Sequence, residues 1–197
     1  MIIEYPKSYN AYKHGTKDWT MPELEYLADI PFIWTEKIDG TNLRVIFDSA
    51  GDFEIRGRTD KAQLHPDLIR NVTAMFQNVE ASNLIFFGEG YGADIQKIGA
   101  NYRPDKSFIG FDLYNTEKDF FYPFELTKEL YGHHKIDFVP EFLPKYSIYE
   151  MMQFLAGEPK SYFGDFEPEG YVGQPLVPLY TQYGERIKIK MKVRDFK

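Results

Sequence analysis

The chain has 197 residues, 43% hydrophobic and 17% aromatic, with a formal net charge of −7 and no cysteine. This composition excludes a disordered chain and suffices for one sizeable core, while the lack of cysteine excludes disulfides, thiolate metal sites and a thiol nucleophile. No run of about 18 apolar residues suggests a transmembrane helix, and the opening MIIEYPKSYN lacks a basic stretch followed by an apolar one. A cytoplasmic protein is therefore expected, and any nucleic-acid contact must rest on local rather than net charge.

In chain order, residues 21–30 (MPELEYLADI) read as a helix with proline near its start. Residues 32–38, 43–47 and 53–57 are short runs of β-branched and aromatic residues bounded by Gly, Asp or Asn, and read as strands. Residues 65–77 form a helical pattern with Pro66 at the first turn and Leu68, Ile69, Val72 and Phe76 on one face. Strands follow at 84–88 and 108–114, and a helix over 123–132. A fourth helix opens at Ser147, with Glu150 in capping-box spacing, and ends at Gly157. The last strands are 170–172 and 186–193. Strands dominate without strict βαβ alternation, so the expected class is α+β with mostly antiparallel sheets. No linker marks a second domain, and a single domain over 1–197 is expected.

Several stretches could carry chemistry. Lys37-Ile38-Asp39-Gly40-Thr41-Asn42 places a lysine at the end of an apolar strand, beside a turn. Alternation puts Ile33, Thr35 and Lys37 on one face and Phe32, Trp34 and Glu36 on the other. Partial burial or a neighbouring cation favours the neutral, nucleophilic amine; a plain hairpin with a solvated lysine is the alternative. Arg56-Gly57-Arg58 could fork onto phosphate oxygens. Glu89 follows four apolar residues and a glycine, where a carboxylate needs a partner, a hydroxyl or a metal. The run 108–114 carries Phe108 and Phe111, either of which could stack on a base. Glu169-Gly170 opens a later strand. The C-terminus alternates Ile187, Ile189, Met191 and Val193 with Arg186, Lys188, Lys190, Lys192 and Arg194. Six basic against two acidic residues from Glu185 to Lys197 make a positive stripe on an acidic chain. Lysines guarding an edge strand would look the same.

Taken together and in order, Lys-x-Asp-Gly, the glutamate after an apolar strand, the aromatic-Asp strand, Glu-Gly-x-Val and Lys-x-Lys resemble the covalent nucleotidyltransferases. That superfamily includes ATP-dependent DNA ligases, RNA ligases and capping guanylyltransferases. Within it, EKIDGTN with Asn42 five residues after the lysine, and KMKVRDF at the end, resemble the RNA ligase 2-type, phage-like branch. The resemblance spans Lys37 to about Phe196. It implies an antiparallel-sheet nucleotidyltransferase (ATP-grasp-like ligase adenylation) domain with flanking helices; relatives usually carry a further C-terminal domain, and because this sequence stops five residues after Lys192 no separate C-terminal domain is expected.

It also implies an ATP-dependent RNA ligase using Mg²⁺ or Mn²⁺. Lys37 would be the nucleophile that carries AMP, with Lys190 and Lys192 on the α-phosphate and Glu169 at the metal. Lys188 is the alternative member of the lysine pair. Glu36, Asn42, Arg56, Glu89 and Phe111 would contact the nucleotide, with Phe108 the rival of Phe111 and Glu89 a second metal candidate. The implied partner is RNA, as nicked duplex, single strand or RNA/DNA hybrid, met by Arg56, Arg58, Lys61 and the final strand. A monomer is expected. A minimal ATP-dependent DNA ligase and a catalytically silent nucleic-acid-binding module of the same fold are the alternatives.

Overall fold

The computed structural model describes residues 3–6, 8–13, 16 and 18–197. In chain order the elements are β1 (Tyr9–Asn10), α1 (Leu24–Leu27), β2 (Phe32–Glu36), β3 (Thr41–Phe47), β4 (Phe53–Gly57), α2 (Pro66–Phe76), β5 (Leu84–Tyr91) and α3 (Gly99–Tyr102). They continue with β6 (Ser107–Asn115), β7 (Phe120–Phe121), α4 (Phe124–His133), β8 (Glu141–Phe142), α5 (Ile148–Leu155), β9 (Gly170–Pro175) and β10 (Ile189–Lys192), ending in a 3₁₀ turn at Val193–Asp195. The chain divides into two compact units. One comprises Asp39–Val139 with the described part of Met1–Tyr5; the other comprises the described residues of Pro6–Ile38 together with Pro140–Lys197.

The first unit holds a five-stranded sheet in the order β4-β3-β5-β6-β7, antiparallel throughout. Its strands follow the period-2 rule, so Leu43, Val45 and Phe47 face the same side as Phe86 and Phe108, and all are buried with α2 residues Leu68, Val72 and Phe76. Glycine makes this packing possible. A Cβ on Gly110 would lie 1.9 Å from the ring of Tyr131, whose hydroxyl donates to the Phe87 and Asp112 carbonyls at 2.9 Å. Helix α2 begins with Pro66 as expected, and the His65 ring accepts the Asp67 N–H at 3.1 Å. Ile69 departs from the expected apolar face: it is 40% exposed, because the buried stripe is the narrower set Leu68, Val72 and Phe76.

The second unit holds a sheet in the order β1-β10-β9-β2-β8, with one parallel pair, β1 with β10. Phe32, Trp34, Tyr171, Ile189 and Met191 point into a core shared with Ile148, Met151 and Leu155 of α5. The α5 capping box is present: Ser147 Oγ accepts the Glu150 N–H at 3.2 Å and the Glu150 carboxylate accepts the Ser147 N–H at 2.7 Å. Two strand ends differ from the sequence reading. β2 stops at Glu36, one residue before Lys37, and the predicted strand 186–193 keeps strand pairing only over Ile189–Lys192. Arg186 instead forms an isolated bridge with Tyr180, and Val193 turns into the 3₁₀ segment. The α+β class with antiparallel sheets is as expected. Among the described residues no helix is long and apolar enough to cross a membrane.

Candidate active site

In the second unit the ladder fixes which side chains share a face. Thr35 pairs with Val172, which pairs with Lys190; Gly170 pairs with Lys192. Lys37 lies just past β2, and its N–H donates to the Gly170 carbonyl at 2.9 Å. By parity Lys37, Lys190 and Lys192 therefore line the face opposite the Trp34 core. Glu169 sits immediately before β9. Its carboxylate forms ion pairs with Lys37 and, at 2.9 Å, with Lys192. The close approach needs glycine at 170, where a Cβ would meet the Met191 carbonyl oxygen at 2.1 Å.

The three side chains are 26%, 20% and 22% exposed in the order Lys37, Glu169, Lys192, so water screens them only partly. Desolvation of Glu169 pushes its carboxyl up, but the charge and hydrogen bond of Lys37, and then those of Lys192, outweigh this and hold it below the usual range. Of the lysine run, Lys192 bridges to Glu169. Lys190 is half-buried one pleat earlier on the same face, and Lys188 lies before β10 begins.

Glu36 is placed elsewhere. Its side chain has the opposite parity to Lys37, is 3% exposed, and accepts from Ser161 Oγ at 2.6 Å and the Tyr162 N–H at 2.7 Å. Burial raises its pKa, while these two hydrogen bonds pull the other way. Glu36 borders a cavity of about 320 Å³ with Phe142, Leu143, Lys160, Tyr162 and Tyr171. The sequence places Glu36 beside Lys37; the pleat separates their side chains.

The other candidates belong to the first unit and share one face of its sheet. The register pairs Asn42 with Glu89 and Arg44 with Arg56, on the side opposite Leu43 and Val45. Phe111 is an extra residue at the irregularity between β5 and β6, and its ring packs against Tyr5 at 5.0 Å on that same side, among Ile46, Phe87 and Tyr114. Phe108 is fully buried against Phe76 and Gly88 on the other side, so of the two rivals only Phe111 shares the face of Asn42 and Glu89. The Asn42 side-chain oxygen is buried and has no hydrogen-bond partner among the described residues, an acceptor that a ligand hydroxyl would satisfy. Gly40 is required where it stands: a Cβ would lie 2.3 Å from the Gly90 carbonyl oxygen and 2.7 Å from Glu89 Cγ. Arg58 and Lys61 are exposed.

Sequence reasoning missed the support behind Arg56. Arg44, fully buried, donates to the Gly57 carbonyl at 2.8 Å, the Ile3 carbonyl at 3.1 Å and Asp60 at 2.8 Å. Asp60 also meets Arg56 at 3.2 Å, and Glu54 meets Arg56 at 2.9 Å. One carboxylate thus reconciles two arginines that face each other across a strand pair. The signal was present in the sequence as an arginine between Leu43 and Val45 in an apolar run.

A family model described as RNA ligase matches residues 30–190. Among solved structures, a Naegleria gruberi RNA ligase variant with ATP and Mn is similar at a TM-score of 0.71 and 17% identity, covering 96% of this chain and 56% of that one. A variant with AMP and Mn is similar at 0.66 and 18%, covering 87% and 52%. An apo variant gives the same values. The chain thus spans about half the length of these solved proteins, and at such identities the likeness establishes a shared fold, that of the RNA ligase nucleotidyltransferase domain. No curated protein matches. With its model matched from residue 30 to residue 190, which takes in both the Lys37 motif and Glu169, the chain belongs to the RNA ligase family.

Proposed function

We propose that this chain is an ATP-dependent RNA ligase that works through a lysyl-AMP intermediate on Lys37, with residues 1–197 acting as a single adenylyltransferase domain. The observation that carries this reading is the carboxylate of Glu169 held between Lys37 and Lys192. A nucleophilic lysine, a phosphate-binding lysine and an acidic group on one sheet face are the parts that nucleotidyl transfer needs.

The Lys37 nitrogen bonds to the α-phosphorus of ATP, the bond from that phosphorus to the bridging oxygen breaks, and pyrophosphate leaves as the amine loses its proton. Lys192, with Lys190 as its neighbour, faces the charge that builds on the α-phosphate. A 5′-phosphate oxygen of RNA then attacks the same phosphorus, the P–N bond breaks, and Lys37 recovers its proton. Attack by a 3′-hydroxyl on the adenylylated end joins the strands and releases AMP. Asn42, through its orphaned acceptor, and Glu89 suit ribose hydroxyls; Arg56 suits a phosphate; Phe111 offers an aromatic surface to the base.

Among the described residues no three His, Asp or Glu side chains cluster as metal ligands. Glu169 is the carboxylate that would hold a divalent ion beside the nucleotide phosphates, with Glu89 as the further candidate. When bound, Mg²⁺ or Mn²⁺ would offset the charge of the triphosphate.

The test is incubation with α-labelled ATP and Mg²⁺ or Mn²⁺, then denaturing electrophoresis, for wild type and Lys37→Ala. Acid-labile label on wild type alone supports the reading. Absence of label on folded wild type that is not already adenylylated refutes it.

A further inference from the structure

Between β9 and β10 the chain does not simply return. Thr181 N–H donates to the Glu185 carbonyl at 2.8 Å, Gly184 N–H to the Thr181 carbonyl at 2.9 Å, and Ile187 N–H to the Leu179 carbonyl at 2.9 Å. The buried Thr181 hydroxyl oxygen also accepts the N–H groups of Tyr183 at 3.2 Å and Glu185 at 3.3 Å. Gly184 supplies the left-handed turn, at φ +79°. The result is a braced hairpin tip. Yet it displays aromatic surface: Tyr180 is 52% exposed and Tyr183 82%. A loop tip built only to connect strands would carry polar residues there.

The placement of Tyr180 narrows its partner. It forms an antiparallel bridge with Arg186, so the two side chains share a face. The Arg186 guanidinium reaches Gln174 Oε1 at 3.4 Å, and Gln174 has the parity of Val172, which pairs with Lys190. The face bearing Lys190 and Lys192 therefore continues through Arg186 to Tyr180. On a chain of net charge −7, this is a local line of cations ending in exposed rings. The one acidic residue in the turn, Glu185, has the other parity and accepts from the Tyr9 hydroxyl at 3.0 Å. Cations that follow a phosphate backbone, together with rings on which successive bases stack, are the two parts of a single-strand nucleic-acid surface.

We propose that the 176–187 hairpin is a docking surface for single-stranded RNA, with Tyr180 and Tyr183 stacking on unpaired bases and Arg186 meeting the backbone. This rests on the ligase reading above, because it names where the substrate strand leaves the Lys192 face.

The test is fluorescence anisotropy of an end-labelled single-stranded RNA oligonucleotide, without ATP, alongside self-labelling with α-labelled ATP. Tyr180→Ala and Tyr183→Ala should each weaken RNA binding about 5- to 100-fold. Phenylalanine at either position should keep most of it, because the ring does the stacking, and blunt duplex RNA should show no tyrosine dependence. All variants should self-label like wild type, which also reports that they are folded. Unchanged single-strand affinity in the double alanine variant would overturn the proposal, as would an equal loss on duplex. A double variant that binds RNA normally but loses association with a protein would overturn it in favour of a protein interface. If wild type binds RNA through the tyrosines yet never self-labels, the surface stands and the ligase reading falls.

Discussion

Replacing Glu169 with glutamine keeps the side-chain shape but removes the charge that faces both Lys37 and Lys192. The amide oxygen can still accept from one lysine, while its NH₂ group must confront the other. Exposed ion pairs contribute about 0–1 kcal/mol and breaking buried ones costs about 3–5 kcal/mol. With side chains 20–26% exposed, this triad lies between, and we expect a loss of about 2 kcal/mol at pH 7. For a chain of this size that lowers the melting temperature by roughly 4–8 °C. The pH dependence is the sharper readout. The folded-state pKa of Glu169 lies below its unfolded value, so the native state binds fewer protons than the unfolded one in that window. The stabilisation is therefore complete above about pH 5 and is lost as pH falls through the unfolded carboxyl value, near 4.3, toward the folded one. Melting curves of wild type and Glu169→Gln should differ at neutral pH and converge in acid. Self-labelling by ATP should fall on the order of 100-fold, the scale of losing one preorganised electrostatic group. Melting curves that stay parallel down to pH 3, or wild-type self-labelling in the variant, would refute the argument that Glu169 holds the two lysines.

Glu36 behaves in the opposite sense. Burial raises its folded-state pKa, so stability falls as pH climbs from the unfolded carboxyl value through the raised one. As pH climbs from acid to 7, Glu36→Gln should gain stability relative to wild type, and it should self-label normally, since the side chain points away from Lys37; loss of labelling in a folded variant would return Glu36 to the site. Gly173→Ala puts a Cβ 2.4 Å from the ring of Trp34, which is fully buried and anchored by a 2.7 Å hydrogen bond to the Tyr146 carbonyl; it should cost about 1–3 kcal/mol in denaturant melts, and self-labelling should fall because β9 opens at Gly170, directly after Glu169. Arg44→Met strips partners from the Gly57 and Ile3 carbonyls and leaves Asp60 with Arg56 alone, a loss of about 2–3 kcal/mol. On the proposed ligase reading, RNA joining should fall beyond what the melting shift explains, and Asp60→Asn, which keeps the Gly57 and Ile3 carbonyls paired but removes the carboxylate shared by Arg44 and Arg56, should reproduce part of that loss.

What the sequence makes legible follows from the range of the forces involved. Period-2 alternation is local, so the shared face of Lys190 and Lys192 and the apolar rows of β3 could be read directly, as could the Ser147–Glu150 cap, whose partners are three residues apart. Register between distant segments is not local. Nothing near Lys37 indicates that it will meet Glu169, 132 residues later, and only the family resemblance brought them together before the ladder did. Glu36 shows the limit most plainly. β2 is buried on both faces, so its pattern carries no hydrophobic contrast to say which of two adjacent polar residues turns toward the core. The choice is made by Ser161 and Tyr162, a pair of donors 125 and 126 residues away that stabilise a carboxylate on one side only. Arg44 is the same problem in reverse. Its neighbours mark it as an anomaly in an apolar strand, but its explanation lies in a carbonyl near the N-terminus and in Asp60. In this chain the polar residues that interrupt apolar strands fall into two groups that look alike in sequence. Some, such as Glu36 and Arg44, have every charged atom committed to fixed partners and brace the sheets. Lys37 and Lys192 share one carboxylate between them instead, an arrangement that an incoming phosphate, itself a bearer of negative charge, is suited to replace.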